Sequence, residues 1–243
     1  MRHALVLVRP YFASNLGSVA RSAKNFGVRD VRLVEPAVSA DEDSLRLASG
    51  ADDLLAAFRR VPSLTEAVAE FDAVVATSSL RGREEQRHLS LGELPAFLGE
   101  LPLTARAAFV FGPERSGLTE EERARASACL RLPTDPAFPT MNISHAVAAV
   151  LAVATLAEAS PSAPDEDLSP ASEIEGAIEH WDRALDAIGF YDTGHRERSL
   201  RDWRKLVAAR PLTRRETAIL RGVANRILVS LRRAARGAAV TED

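Results

Sequence analysis

Two amide side chains, a carboxylate and two guanidinium groups are the residues of the first 160 best suited to chemistry: Asn15, Asn142, Glu114, Arg21 and Arg115. Such a set binds a polar substrate and holds it in place. It offers neither a metal-ligand cluster nor an activated nucleophile, so it suits the movement of a group carried by a cofactor. Each residue also has a plainer role. Asn15 opens a helical pattern and can be its cap, Asn142 and Ser144 can cap a later helix, Arg21 can be solvated, and Glu114 and Arg115 can form a surface ion pair.

Other chemistries are excluded by what is missing. Gly112-Pro-Glu-Arg-Ser-Gly117 follows an apolar strand pattern and resembles a phosphate loop, but Leu118 stands where a P-loop needs Lys. No GxGxxG, HExxH or GxSxG occurs. The single cysteine, Cys129, rules out a disulfide framework and a Cys-cluster metal site, and its place at the start of an apolar strand fits a buried structural thiol. No metal is expected.

The elements that must position these groups alternate. Strand patterns lie at Ala4–Val8, Asp30–Val34, Ala73–Ala76, Ala107–Phe111 and Cys129–Leu132. Between them lie a helix from Asn15 to Phe26, weaker helices at Ser44–Ala48 and Ala51–Phe58, a helix at Ser63–Phe71 with a Ser63/Glu66 capping box, and one capped by Thr119 with Glu122. On the first helix Leu16, Val19, Ala20, Ala23 and Phe26 form the core stripe, with Gly17, Arg21 and Lys24 on another face. The alternation implies an α/β fold, a parallel sheet with helices on both faces. In such sheets ligands sit beyond the carboxyl ends of the strands. Three polar loops qualify: Thr77–Ser79, Gly112–Gly117 and Pro133–Asn142. The stretch Leu130–Ala154, a strand end, a loop with three prolines and a long Ala/Val/Leu helix, is where they should converge.

The chain has 243 residues, 46% hydrophobic and 27% charged, enough for a sizeable core. Met1-Arg2-His3 is followed by only five apolar residues before Arg9, too few for a signal peptide, and no apolar run is long enough to span a membrane. A cytoplasmic protein is expected. Ser160–Ser172 is rich in Pro, Ser and acid and reads as a linker. Beyond it, three amphipathic helices form a small all-α C-terminal appendage: one carrying Ile174, Ile178, Trp181, Leu185 and Ile188, one over Ser199–Ala209, and one from Thr213. The expected organisation is 1–159, a linker over 160–172, and a helical extension over 173–243. Residues 196–243 hold 13 Lys/Arg against 5 Asp/Glu, while the rest of the chain is acidic, so the basic end is expected to meet an anionic partner.

Three stretches, LVRPYFASNLGSVARSAKNFG, FVFGPERSGLTEEE and LPTDPAFPTMNISHAVAAVLA, resemble in order and spacing the motifs of the SpoU/TrmH branch of the SPOUT RNA methyltransferases. The resemblance covers roughly residues 4–158, and the C-terminal part, with GFYDTG and TRRETAILRGVANRIL, is similar to the tail of the TrmJ type. That resemblance implies a C-terminal trefoil knot over Leu130–Ala154, a fold that periodicity does not suggest because knots are almost absent from proteins. It implies S-adenosylmethionine as cofactor, a homodimer, a tRNA substrate, and 2′-O-methylation of cytidine or uridine 32 in the anticodon loop. Ribosomal RNA, another tRNA position, or a catalytically silent RNA-binding module are the alternatives.

Carried over by motif, the cofactor would meet Thr77, Ser78, Ser79, Gly112, Leu132, Thr140, Met141 and Asn142. Catalytic roles fall to Arg21 and Asn15, with Glu114 orienting Asn15 or Arg115, and to Asn142. Because a guanidinium deprotonates only above about pH 12, Arg21 is expected to act as a fixed charge that stabilises a developing alkoxide. RNA contacts are implied for Arg9, Arg115, Arg201, Arg204 and Lys205, and for Arg81 or Arg83, with Arg83 preferred. Thr140 replaces the family's usual Ser, and TSSLRGRE is one residue longer than the matching loop.

Overall fold

The computed structural model describes residues 2–78, 87–102, 104–157, 167–191, 195–207 and 210–239. Ser79, Arg81 and Arg83, and most of the segment read as a linker, lie outside these residues. Seven strands form one sheet: β1 (Arg2–Val8), β2 (Asp30–Val34), β3 (Arg59–Val61), β4 (Ala73–Thr77), β5 (His88–Ser90), β6 (Arg106–Phe111) and β7 (Ala128–Arg131). Every pairing is parallel and the order is β3-β2-β1-β6-β4-β7-β5. Five of these were legible as strands. The additions, β3 and β5, have three residues each and lie at the two edges, too short for any periodicity. Arg59 and Arg60 keep one edge charged, which discourages edge-to-edge pairing.

Side chains alternate across the sheet, so each face has its own core. Leu5 and Leu7 of β1 pack with Leu16, Val19 and Ala23 of α1 (Ala13–Asn25), Phe97 and Leu98 of α5 (Leu94–Gly99), and Val147, Val150 and Leu151 of α7 (Ile143–Ala157). Ala4, Val6 and Val8 pack on the other face with Leu64 and Val68 of α4 (Leu64–Val68) and with Phe71. The central strand β6 is buried from Ala107 to Phe111.

Asn15 is not the cap of α1. The helix begins at Ala13, with Phe12 in the cap position, and Asn15 lies in the first turn. Its amide is thereby released for tertiary contacts. On the face that carries Gly17, Arg21 and Lys24, Gly17 is covered and Lys24 is engaged, while Arg21 stays exposed. α2 (Glu42–Ala48) lies so close that a Cβ on Gly17 would meet the Ser44 carbonyl oxygen at 1.9 Å, and Lys24 donates to Asp53 and to the Gly50 carbonyl. α2 is capped by Asp41 rather than started by Ser44, whose hydroxyl instead donates to the Ala13 carbonyl at 2.7 Å and ties the two helices together. The short helices α3 (Asp52–Ala56) and α6 (Glu120–Arg123) complete the unit, and α6 carries the Thr119/Glu122 capping box that the sequence announces.

The last three helices are α8 (Ala171–Ala187), α9 (Arg196–Val207) and α10 (Arg214–Ala239). α8 begins inside the stretch read as a linker. The Ala171 and Ser172 N–H groups donate to the Phe71 and Ala69 carbonyls, and that of Ser169 donates to Leu212. The end of the supposed linker is therefore hydrogen-bonded to elements on both sides of it. Trp203 on α9 stacks on Trp181 of α8 at 5.3 Å and 19°, a packing role for both rings.

Candidate active site

At the carboxyl end of the sheet, the loops after β4, β6 and β7 enclose a cleft of about 300 Å³. Thr77, Ser78, Gly112, Leu132, Thr140 and Met141 all line it, as do Phe111 and Ile143. Sequence positions far apart in the chain are thus brought to one cavity by strand order: β4, which carries Thr77, lies between β6 and β7. Two of the polar groups are partly committed to the scaffold. The Thr77 hydroxyl donates to the Val110 carbonyl at 3.1 Å, and the Ser78 N–H donates to Leu130 at 3.0 Å.

Gly112 is fixed by the turn it begins. A Cβ there would stand 2.4 Å from the Leu118 nitrogen, and the turn closes with the Gly117 N–H on the Pro113 carbonyl at 2.8 Å. Gly117 itself has φ +66°, a left-handed conformation that favours glycine. The turn folds back because Gly112 has no side chain, and this exposes Glu114 and Arg115 on the cleft wall.

Along one edge of the site runs a hydrogen-bonded relay. Oδ1 of Asn142 accepts from the backbone N–H of Ser144 at 2.8 Å and from its hydroxyl at 2.7 Å. Nδ2 of Asn142 donates to Oδ1 of Asn15 at 2.9 Å, and Nδ2 of Asn15 donates to Oε1 of Glu114 at 2.7 Å. The second oxygen of Glu114 accepts from the backbone N–H of Tyr11 at 3.1 Å. The direction is fixed at both ends, since a backbone N–H only donates and a carboxylate only accepts. Both asparagine amides therefore have one permitted orientation. Asn142 is at once the cap of α7 and a member of the relay, and Glu114 orients Asn15 rather than Arg115. The Arg115 guanidinium instead lies 4.1 Å over the Tyr11 ring.

The remaining arginines are placed unequally. Arg9, in a left-handed conformation at the end of β1, clamps Glu122 through two hydrogen bonds of 2.6 and 3.0 Å. Its guanidinium is raised above its usual value, first by the hydrogen bond to Glu122. Burial works to raise the Glu122 carboxyl, but Arg9 and the Thr119 N–H hold it below the usual carboxylate range. Arg21 is exposed on α1 and makes no hydrogen bond or ion pair among the described residues. Six residues beyond Asn15, it points about 240° around the helix from it, so it does not join the relay. Arg204 pairs with Glu175 at 2.6 Å, and Lys205 is buried with Glu120 at 3.4 Å. Arg201 is half-buried on the same helix.

Burial pushes the Cys129 thiol up to about 11, so it is no thiolate nucleophile at neutral pH. Among the described residues no three His, Cys, Asp or Glu gather as a metal site, and no helix is long and apolar enough to cross a membrane. Among the cleft-lining residues given no role from sequence are Phe111, Pro113, Pro139 and Ile143. All lie within one or two residues of positions that were given one, which is the signal that would have found them.

Residues 2–152 match the SpoU rRNA Methylase family, and residues 172–239 match the C-terminal domain of the tRNA methyltransferase TrmJ. The tRNA (cytidine/uridine/adenosine-2′-O-)-methyltransferase TrmJ of Pseudomonas aeruginosa (strain UCBPP-PA14) is 32% identical, over 97% of this chain and 96% of that protein. The crystal structure of TrmJ from Z. mobilis ZM4 superposes with a TM-score of 0.81 at 28% identity, covering 93% of this chain and 99% of that one. The SpoU methyltransferase AviRb from Streptomyces viridochromogenes, in a structure with the cofactor AdoMet, shares the fold at a TM-score of 0.52 and 21% identity, covering 65% of this chain and 58% of that one. With the sheet, the glycine turn and the Glu114–Asn15–Asn142 relay in place, the chain belongs to the SpoU methylase family, in its TrmJ branch.

Proposed function

We propose that this protein transfers a methyl group from S-adenosylmethionine to a ribose 2′-hydroxyl of tRNA, at cytidine or uridine 32 of the anticodon loop. The observation that carries the reading is the relay that ends at Glu114 on the wall of the 300 Å³ cleft and joins three distant parts of the chain with one enforced polarity. The cleft suits an adenosyl group. Leu132 and Met141 offer apolar surface for the faces of a base, and the loop backbones after β4 and β7 offer polar groups for its edge. When bound, the cofactor supplies a sulfonium-activated methyl group.

The protein's own part is position and charge. Asn142 holds the loop after β7 against Asn15 and so ties the cofactor cradle to α1. Glu114 keeps the Asn15 amide turned toward it. Arg21, exposed and uncommitted, holds an RNA phosphate and, as a fixed positive charge, stabilises the ribose 2′-oxygen while its proton passes to bulk solvent. The family's trefoil knot at Leu130–Ala154 and its homodimer belong to the same proposal, as does a cytoplasmic location. The knot is supported by β7 pairing between β4 and β5 while α7 returns to pack on α1 and α5. We assign residues 1–159 to methyl transfer and 173–243 to RNA binding and dimer support, joined by 160–172.

The test uses the full chain with radiolabelled S-adenosylmethionine and tRNA transcripts, followed by mapping of ribose methylation. Label at ribose 32 is expected, and lost in Asn142→Ala together with cofactor affinity while the fold persists. Label at another tRNA position, or only in ribosomal RNA, overturns the assigned position. Cofactor binding without any transfer overturns the catalytic reading.

A further inference from the structure

We propose that Tyr11 and Phe12 form a stacking platform for an unpaired nucleobase beside the methylated ribose. This rests on the reading of the protein as an RNA methyltransferase, and it names a recognition surface that the catalytic set does not include. Single exposed hydrophobic side chains are ordinary on protein surfaces. This pair differs in three ways. The two rings are adjacent and ordered against each other, edge to face at 5.0 Å and 84°, with 44% and 45% of their surface exposed. The pair is anchored to the reaction site, because the Tyr11 N–H donates to the same Glu114 carboxylate that orients Asn15. A cation completes it: the Arg115 guanidinium lies over the Tyr11 ring and also lines the cleft, where it can meet the phosphate of a nucleotide stacked beside it.

An aromatic platform next to an anchored cation fits single-stranded nucleic acid. Every base has a π-face, so stacking is sequence-tolerant, and it selects for a base that is already splayed out of a helix. Tyr11 and Phe12 would thus sense that the target lies in a loop, leaving base identity to other contacts. A third exposed aromatic, Phe138, 78% exposed, lies in the loop whose Thr134 and Pro139 line the cleft. Aromatic surface is concentrated around this site.

The experiment compares the full chain with Tyr11→Ala, Tyr11→Trp and Phe12→Ala. It measures steady-state methylation of a tRNA transcript, cofactor affinity by calorimetry, sedimentation velocity, and fluorescence of a 2-aminopurine placed beside the target nucleotide. Base–aromatic stacking is worth about 1–3 kcal/mol, so Tyr11→Ala is expected to lose roughly 5- to 150-fold in kcat/KM for RNA. Cofactor affinity should stay within about twofold and 2-aminopurine quenching should vanish, while Tyr11→Trp restores both activity and quenching. Unchanged RNA kinetics and quenching in Tyr11→Ala would overturn the platform. So would a loss that follows a change in sedimentation, which would make the rings a contact between two copies of the chain. If the unaltered protein binds cofactor but methylates no RNA, the functional reading fails. Binding of a single-stranded oligonucleotide to the unaltered protein and to Tyr11→Ala then decides the platform alone, with equal affinities counting against it.

Discussion

At the scale of single residues, Glu114 is the most constrained group of the site. Its two oxygens accept from two different N–H donors, the Asn15 amide and the Tyr11 backbone. Glu114→Gln keeps the shape but leaves one oxygen for two donors, and its NH2 then faces a donor it cannot accept. Loss of a hydrogen bond to a charged group costs about 1.5–3 kcal/mol. A fall of about 10- to 150-fold in kcat/KM is therefore expected from single-turnover and steady-state assays, with a smaller change in melting temperature. Equal kinetics in the variant would mean that the orientation of Asn15 is unimportant for transfer. The identity of these residues was legible from sequence, as was the choice that Glu114 meets either Asn15 or Arg115. Their hydrogen-bond order was not, because the partners lie 99 and 127 positions apart.

At the scale of elements, two contacts make predictions. α1 and α2 meet at Gly17, where an added Cβ would lie 1.9 Å from the Ser44 carbonyl oxygen, a backbone atom that cannot rotate away. Gly17→Ala gains helix propensity yet overpacks the contact, so a net loss of about 1–3 kcal/mol is expected in urea unfolding. A stabilised variant would show that the helices part freely. The second contact holds α9 to α8. Burial works to raise the Glu175 carboxyl, but Arg204 and Arg125 keep it below the usual range. Its folded pKa lies below its unfolded one, so the stabilisation is fully present above the unfolded value of about 4.3 and is lost as pH falls through the folded one. Fluorescence of the stacked Trp181 and Trp203, which bridge α8 and α9, should be flat from neutral pH down to about 5 and change only in more acid solution. A transition near neutrality would assign the docking to another group.

At the scale of the whole molecule, charge is divided between an acidic body and a basic end. The helices sort the basic residues further. Arg196, Arg204, Lys205, Arg210 and Arg214 are engaged with carboxylates of the chain itself. Arg215, Arg221, Arg226, Arg232 and Arg233 are exposed along α10, whose described acids end at Glu216. RNA affinity should fall with salt, and Arg215→Ala with Arg226→Ala should lower the slope of log K against log salt by about one for each phosphate no longer held. Arg204→Ala is expected to lower stability instead and leave the slope alone. Filter-binding titrations at several salt concentrations check both, and a slope change confined to Arg204→Ala would reverse the assignment. This division was hidden in the sequence, where Arg204 and Lys205 read as readily for phosphate contact as any arginine of α10.

Taken alone, the sequence determined the parallel α/β class, five of seven strands, the Ser63 cap, the Thr119 capping box, and the three loops from which the site is built; the Glu66 side chain meets the Ser63 hydroxyl rather than its N–H, so the box expected there is only half formed. These depend on local patterns of apolar residues and turn chemistry, which act over a few positions. Tertiary structure alone decided that Asn15 lies within α1 rather than capping it, that β6 lies between β1 and β4, and that Asn142, Asn15 and Glu114 join in one polar line. It also turned Arg9, Arg204 and Lys205 toward internal carboxylates. The physical reason is the same in each case: a side chain's partner is set by strand order and helix docking, which bring together residues that share no local pattern.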